Sequence, residues 1–98
     1  PNVKAYFDVG NVWFLSFPQE WIRHLAELIA CIHVKGFHRP SVQFTPLLQG
    51  DVPWSEVMRA LREIGYDGFL NVEVPPYPGH QLKSAMDSKT SLEIILRM

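Results

Sequence analysis

Three short apolar runs, VKAYFDV (3–9), ACIHVKGF (30–37) and GFLNVEVPP (68–76), are each followed by a stretch whose apolar residues recur at helical spacing. This alternation constrains the fold more than any other feature. Consecutive β-α units make the strands parallel, joined by right-handed crossovers with helices laid on the sheet. The first run stops at Gly10-Asn11, a turn signal. Pro18 suits the first turn of a helix with Trp21, Ile22, Leu25, Leu28 and Ile29 on its apolar side. A loop at 36–53 carrying Pro40, Pro46, Gly50 and Pro53 follows the second run, and loops of that length are usually functional or disordered. Asp51 or Ser55 can start the next helix, whose face is Trp54, Val57, Met58 and Leu61, and Gly65 is its stop. Pro75-Pro76 closes the third run, and Leu82, Ala85, Met86, Leu92, Ile95 and Leu96 suggest a last helix with less regular spacing.

The predicted order is β-α-β-α-β-α, an α/β fold. Units of about 30 residues match the repeat of a (β/α)8 barrel, in which about 250 residues make eight units. Three units do not close such a barrel, and an open sheet leaves two parallel edges and one face uncovered. The chain therefore reads as part of a barrel, as an open sheet covered in a homo-oligomer, or as a small doubly wound domain.

With 98 residues, 47% of them hydrophobic and three of them tryptophan, the chain can bury one small core. Ten acidic and nine basic residues without a basic run argue against nucleic acid or an anionic membrane as the main partner. The single cysteine, Cys31, has no internal disulfide partner and reads as a small buried hydrophobe in a reducing compartment. No segment approaches the roughly 18 apolar residues of a membrane span. The expectation is a soluble, cytoplasmic protein, with a segment missing upstream of Pro1.

Alternation along each run separates an aliphatic from a polar face. Phe7 and Val9 oppose Tyr6, Asp8 and Gly10; Ile32 and Val34 oppose His33 and Lys35; Leu70, Val72 and Val74 oppose Asn71 and Glu73. Asp8, His33 and Glu73 thus fall near the carboxyl ends of three neighbouring parallel strands, where α/β folds build their sites. Individually, the histidine reads as a hydrogen-bonded core residue and either acid as a partner of Lys35. Together, at matched height, they make a divalent-metal site.

These residues resemble the carboxyl-terminal part of the sugar phosphate isomerase/epimerase superfamily, the xylose isomerase-like TIM barrels. The resemblance is carried by YFDVGN, IHVKGFHR, LLQGDVPWSEVMRALREIGYDGFL and NVEVPP, in the family's order and spacing. It implies that residues 1–98 are the sixth to eighth strands of a barrel with their helices. It also implies one divalent ion, manganese, magnesium, cobalt or zinc, held by two glutamates, an aspartate and a histidine. Asp8, His33 and Glu73 match three of these ligands, and the fourth, a glutamate of the fifth strand, has no counterpart here. The implied chemistry is proton transfer beside the carbonyl of a sugar or sugar phosphate, with Glu73 as one of two catalytic bases. Arg39 matches a substrate-contacting arginine, Asn11 stands where some members carry histidine, and Lys35 either holds a substrate oxygen or phosphate or neutralises Asp8. Gly36 departs from the family, many members having an acid there. On this basis the intact protein is expected to be an isomerase or epimerase and these 98 residues alone to be inactive. An endonuclease-like or dehydratase-like member of the same barrels, and a non-catalytic, self-associating module, are the competing expectations.

Overall fold

The computed structural model describes residues 2–98. Strand β1 (Ala5–Asp8), helix α1 (Val9–Leu15), helix α2 (Pro18–Leu25), strand β2 (Ile29–Val34), strands β3 (Gly36–His38) and β4 (Gln43–Thr45), helix α3 (Trp54–Glu63), strand β5 (Leu70–Val72) and helix α4 (Gln81–Leu96) follow in chain order. β2 is the centre of a three-stranded parallel sheet, with β1 on one side and β5 on the other. The alternation of strands and helices thus has the consequence expected of it. β3 and β4 form a separate antiparallel hairpin, absent from the expectation, inside the stretch read as an irregular loop. Among the described residues no helix is long and apolar enough to cross a membrane.

The helices cover one face of the sheet. Ile32 and Val34 of β2, Phe7 of β1, Ile22 of α2, Val57, Ala60 and Leu61 of α3 and Ile95 of α4 are buried in one cluster, and Leu70 and Val72 pack against it. α2 and α3 lie side by side, and on their outer surface Arg23 bonds Glu63 at 2.7 Å and Glu20 at 2.9 Å. The expected apolar side of α2 is only partly correct. Ile22 is buried, but Trp21 and Leu28 are exposed, and Ile29 begins β2. The helix stops at Leu25 because Ala26 takes a positive φ of 44°, which breaks the helical phase before Leu28. α4 is a continuous helix in which Leu82, Met86 and Leu96 face outward, so its irregular spacing reflects a helix attached by a narrow strip.

The turn expected at Gly10-Asn11 is instead the first turn of α1. Asp8 caps that helix, its Oδ1 accepting from the Asn11 N–H at 2.9 Å. Glycine is required at position 10 by a neighbour, since a Cβ there would lie 2.3 Å from Cγ of Lys35.

The 36–53 segment is folded back on the sheet. The Asp51 N–H donates to the Phe37 carbonyl at 2.9 Å, and Gly50 passes so close to Phe37 that a Cβ would sit 2.2 Å from that carbonyl oxygen. Asp51 does not cap α3, which starts at Trp54 behind Pro53 with no side-chain cap. Its Oδ1 accepts from the Trp13 indole at 2.8 Å and the Arg39 N–H at 3.1 Å, tying α1 to the hairpin. The little burial this carboxyl has opposes its ionisation, but those two hydrogen bonds outweigh it and hold the group below the usual carboxylate range.

Two outcomes follow for the polypeptide carrying these residues. Ile32→Ala, which empties a fully buried site on the central strand, is expected to cost about 2–5 kcal/mol in urea unfolding, whereas Leu82→Ala on the exposed side of α4 stays within about 0.5 kcal/mol. A depressed folded-state pKa stabilises above the ordinary carboxylate value and ceases to do so as pH falls through the folded value. Asp51→Asn is therefore expected to lower the melting temperature at neutral pH and to flatten its fall below about pH 4.

Candidate metal centre

Parallel register fixes the height of the polar groups. Asp8 is paired with His33, and the Glu73 N–H continues the pairing beyond β5 by donating to the Val34 carbonyl at 3.0 Å. Because side chains alternate, Asp8, His33 and Glu73 all project from the face the helices leave open. Their ligand atoms lie within 4.8 Å of one another. His33 Nδ1 is 2.7 Å from Glu73 Oε2 and 3.7 Å from Asp8 Oδ2. Asp8 is nearly buried at 13% side-chain exposure, His33 is at 30%, and Glu73, at 56%, stands at the mouth.

The donor set fits a divalent cation. Bonds of about 2.0–2.2 Å to nitrogen and carboxylate oxygen put donors sharing one ion roughly 3–4 Å apart; the 3.7 Å between His33 and Asp8 falls in that range, and His33 and Glu73, at 2.7 Å, stand at hydrogen-bond distance. Two carboxylate oxygens and one imidazole nitrogen suit magnesium, manganese or zinc better than a thiophilic ion.

Lys35, whose side chain is 10% exposed, reaches the same carboxylates, 3.1 Å from Asp8 Oδ2 and 3.3 Å from Glu73 Oε1. It neutralises both acids and is aligned by the Phe44 ring, 4.8 Å from its Nζ. Phe44 stands on β4 and escaped the sequence reading because the hairpin that delivers it did so too. Beside these groups a cleft of about 270 Å³ opens, lined by Lys35, Phe44, Glu73, Val74 and Pro75.

Asn11 is brought next to Asp8, but the contact is made by its main-chain N–H, and its side chain is exposed. Arg39 is placed elsewhere. Its Nε donates to the Trp13 carbonyl at 2.6 Å and a terminal nitrogen to the Ser16 carbonyl, while the guanidinium lies 3.5 Å above the Trp13 ring. It closes the carboxyl end of α1, where free carbonyls attract a cation. Trp13 and Phe17 pack edge to face around it, and Phe14 packs on Phe37. His38 bonds Ser41.

On the same face Tyr6 and Cys31 lie one step below Asp8 and His33, and Asn71 is paired with His33. Cys31 is half-buried, not enclosed in the core as its apolar neighbours suggest, because its position in the alternation puts it on the open face, where its Sγ accepts from Asn71 Nδ2. The Tyr6 hydroxyl is 2.7 Å from His33 Nε2. The face of Tyr6 and Asn71 was legible in the alternation, but that of Cys31 was missed and the contacts of all three were not legible.

Comparison with known proteins identifies the fold. The family described as xylose isomerase-like TIM barrel matches residues 1–97. An uncharacterized protein of Methanocaldococcus jannaschii is 27% identical over 100 residues, which cover 99% of this chain and 32% of that protein. A xylose isomerase domain protein from Planctomyces limnophilus superposes with a TM-score of 0.77 at 28% identity, over 97% of this chain and 37% of the other. A D-tagatose 3-epimerase-like protein does so with a TM-score of 0.73 at 27% identity, over 96% and 36%. The chain spans about a third of the length of each of these relatives. With its three parallel βα units, its helices on one face and a family match over nearly every residue, the chain belongs to the xylose isomerase-like TIM barrels.

Proposed function

We propose that this chain provides three ligands and one proton-transfer group of a divalent-metal-dependent sugar isomerase or epimerase acting on a ketose or ketose phosphate. It forms the carboxyl-terminal portion of that enzyme's barrel. The convergence of Asp8, His33 and Glu73 on one point carries this reading. Family membership and the likeness to a D-tagatose 3-epimerase-like protein support sugar chemistry over other reactions of such barrels.

A bound manganese, magnesium, cobalt or zinc ion would supply Lewis acidity toward a carbonyl oxygen. Asp8 and His33, fixed by register and by the cap on α1, give the site its rigid side. Glu73, the most exposed of the three, is the group free to take a proton from the carbon beside the carbonyl and to return it. Lys35 keeps both carboxylates in place and would meet substrate oxygens at the cleft it lines, and exposed Asn11, next to Asp8, would contribute a further contact. Arg39 closes the carboxyl end of the helix that carries Asn11, since two of its nitrogens are committed to carbonyls there. Epimerisation needs a second proton-transfer group on the opposite face of the substrate. Among the described residues the site offers no carboxylate besides Asp8 and Glu73, and a glutamate from the remainder of the barrel would serve as fourth ligand and partner base.

A second reading rests on Lys35. Because its ammonium already satisfies both acids, the same cluster is stable without a cation, as in a non-catalytic module. Metal analysis separates the two. Under the proposal the intact polypeptide carries stoichiometric divalent metal, and Asp8→Ala and His33→Ala lose it. Absence of metal from the unaltered protein at neutral pH would favour the module. Glu73→Gln is expected to slow exchange of solvent hydrogen into a ketose panel by at least about 100-fold while the fold persists, and unchanged exchange would remove Glu73 as the base. Lys35→Met, which strips nearly buried Asp8 and the more exposed Glu73 of their counter-charge, is expected to cost up to about 3 kcal/mol in chelator, and added divalent metal should restore most of it.

A further inference from the structure

We infer that Tyr6 is a positioning residue for the metal site, acting through His33. Its hydroxyl is the outer partner that accepts the Nε2 hydrogen when Nδ1 carries the lone pair a cation needs. The inference rests on the metal reading of Asp8, His33 and Glu73, and goes beyond it by assigning a task to a residue outside that set.

A neutral imidazole carries one hydrogen, and a ring nitrogen that ligates a cation must be the one without it. In His33 the nitrogen turned toward the two carboxylates is Nδ1, at 2.7 Å from Glu73 Oε2 and 3.7 Å from Asp8 Oδ2. The hydrogen must then sit on Nε2, which needs an acceptor. The group at hand is the Tyr6 hydroxyl, 2.7 Å away. A phenol is suited to this position because it both donates and accepts. Without a cation, the short Nδ1 to Glu73 contact favours a hydrogen on Nδ1, and the Tyr6 O–H then donates to Nε2. With a cation at Nδ1, the hydrogen moves to Nε2 and the same hydroxyl accepts it. The ring exchanges one hydrogen for another with solvent and takes up none in net terms, while the hydroxyl only rotates.

The two rings are also in contact, their centroids 4.4 Å apart and their planes tilted by 58°. Tyr6 therefore restrains the imidazole plane as well as its protonation pattern. Its place in the strand makes this possible. Tyr6 lies two residues before Asp8 on β1 and so shares that residue's face, one step deeper, while β1 and β2 pair side by side. Tyr6 is 58% exposed, so water can replace part of what the hydroxyl does, and the expected effect lies at the lower end of the 10- to 100-fold typical of such outer partners.

The test uses the full polypeptide carrying these residues and three variants, Tyr6→Phe, Tyr6→Leu and His33→Ala. Manganese affinity is read from free-ion EPR, and the His33 tautomer from ring 15N shifts with and without zinc. The expected result is about tenfold weaker manganese binding in Tyr6→Phe, which keeps the ring contact, and a larger loss in Tyr6→Leu. The zinc-loaded unaltered protein should show hydrogen on Nε2, and Tyr6→Phe should shift that 15N signal. Manganese affinity within twofold of the unaltered protein, together with unmoved 15N signals, would overturn the role of Tyr6 and leave the metal site standing. A metal-loaded His33 with hydrogen on Nδ1 would also overturn it. If neither the unaltered protein nor His33→Ala binds manganese, the metal reading fails and this inference fails with it.

Discussion

The parallel pairing of β2 with strands on both sides is the constraint from which the rest of the structure follows. Among the described residues it is the only strand bonded to two neighbours in the sheet, and its odd and even positions answer to different requirements. Ile32 and Val34 must fill space under the helices, and His33 and Lys35 must satisfy charge on the other face. A slip of one residue would exchange the two sets, burying an imidazole and an ammonium among apolar side chains and exposing two aliphatic ones. Hydrophobic packing on one side thus fixes the electrostatics on the other.

Within that frame the acids and Lys35 depend on one another at short range. Asp8 does two jobs with two oxygens, capping α1 with Oδ1 and meeting Lys35 with Oδ2. Gly10 leaves space for the lysine stem. Such economy is available because the strand runs straight into a helix with no intervening loop. The carboxylate that ends the strand is therefore also the one that begins the helix.

The parallel sheet, its two faces and the assembly of Asp8, His33 and Glu73 were legible in the sequence, because all three are consequences of period-two alternation and of the β-α order. The hairpin was not. Gln43–Thr45 is three residues long and lacks an aliphatic pattern, and it is held by Gly36 and Gly50 approaching neighbouring backbone, which only a structure shows. The same reason explains Arg39. In a one-dimensional reading it waits in a loop near a histidine, and in space it is consumed by two carbonyls and a tryptophan on another element. Contacts over long sequence separation, such as Trp13 with Asp51 or Tyr6 with His33, carry no periodic signature.

The Arg39, Trp13 and Asp51 cross-links have a bearing on how such a protein can change. Barrel enzymes are often regarded as scaffolds whose loops can be exchanged one at a time. Here helix α1 after the first strand and the segment after the second share a stacked guanidinium, an indole hydrogen bond and a carboxylate that accepts from both. Replacing either alone would leave donors and carbonyls of the other unmatched. The two behave as one heritable block, and a change in either has to be matched by a change in the other.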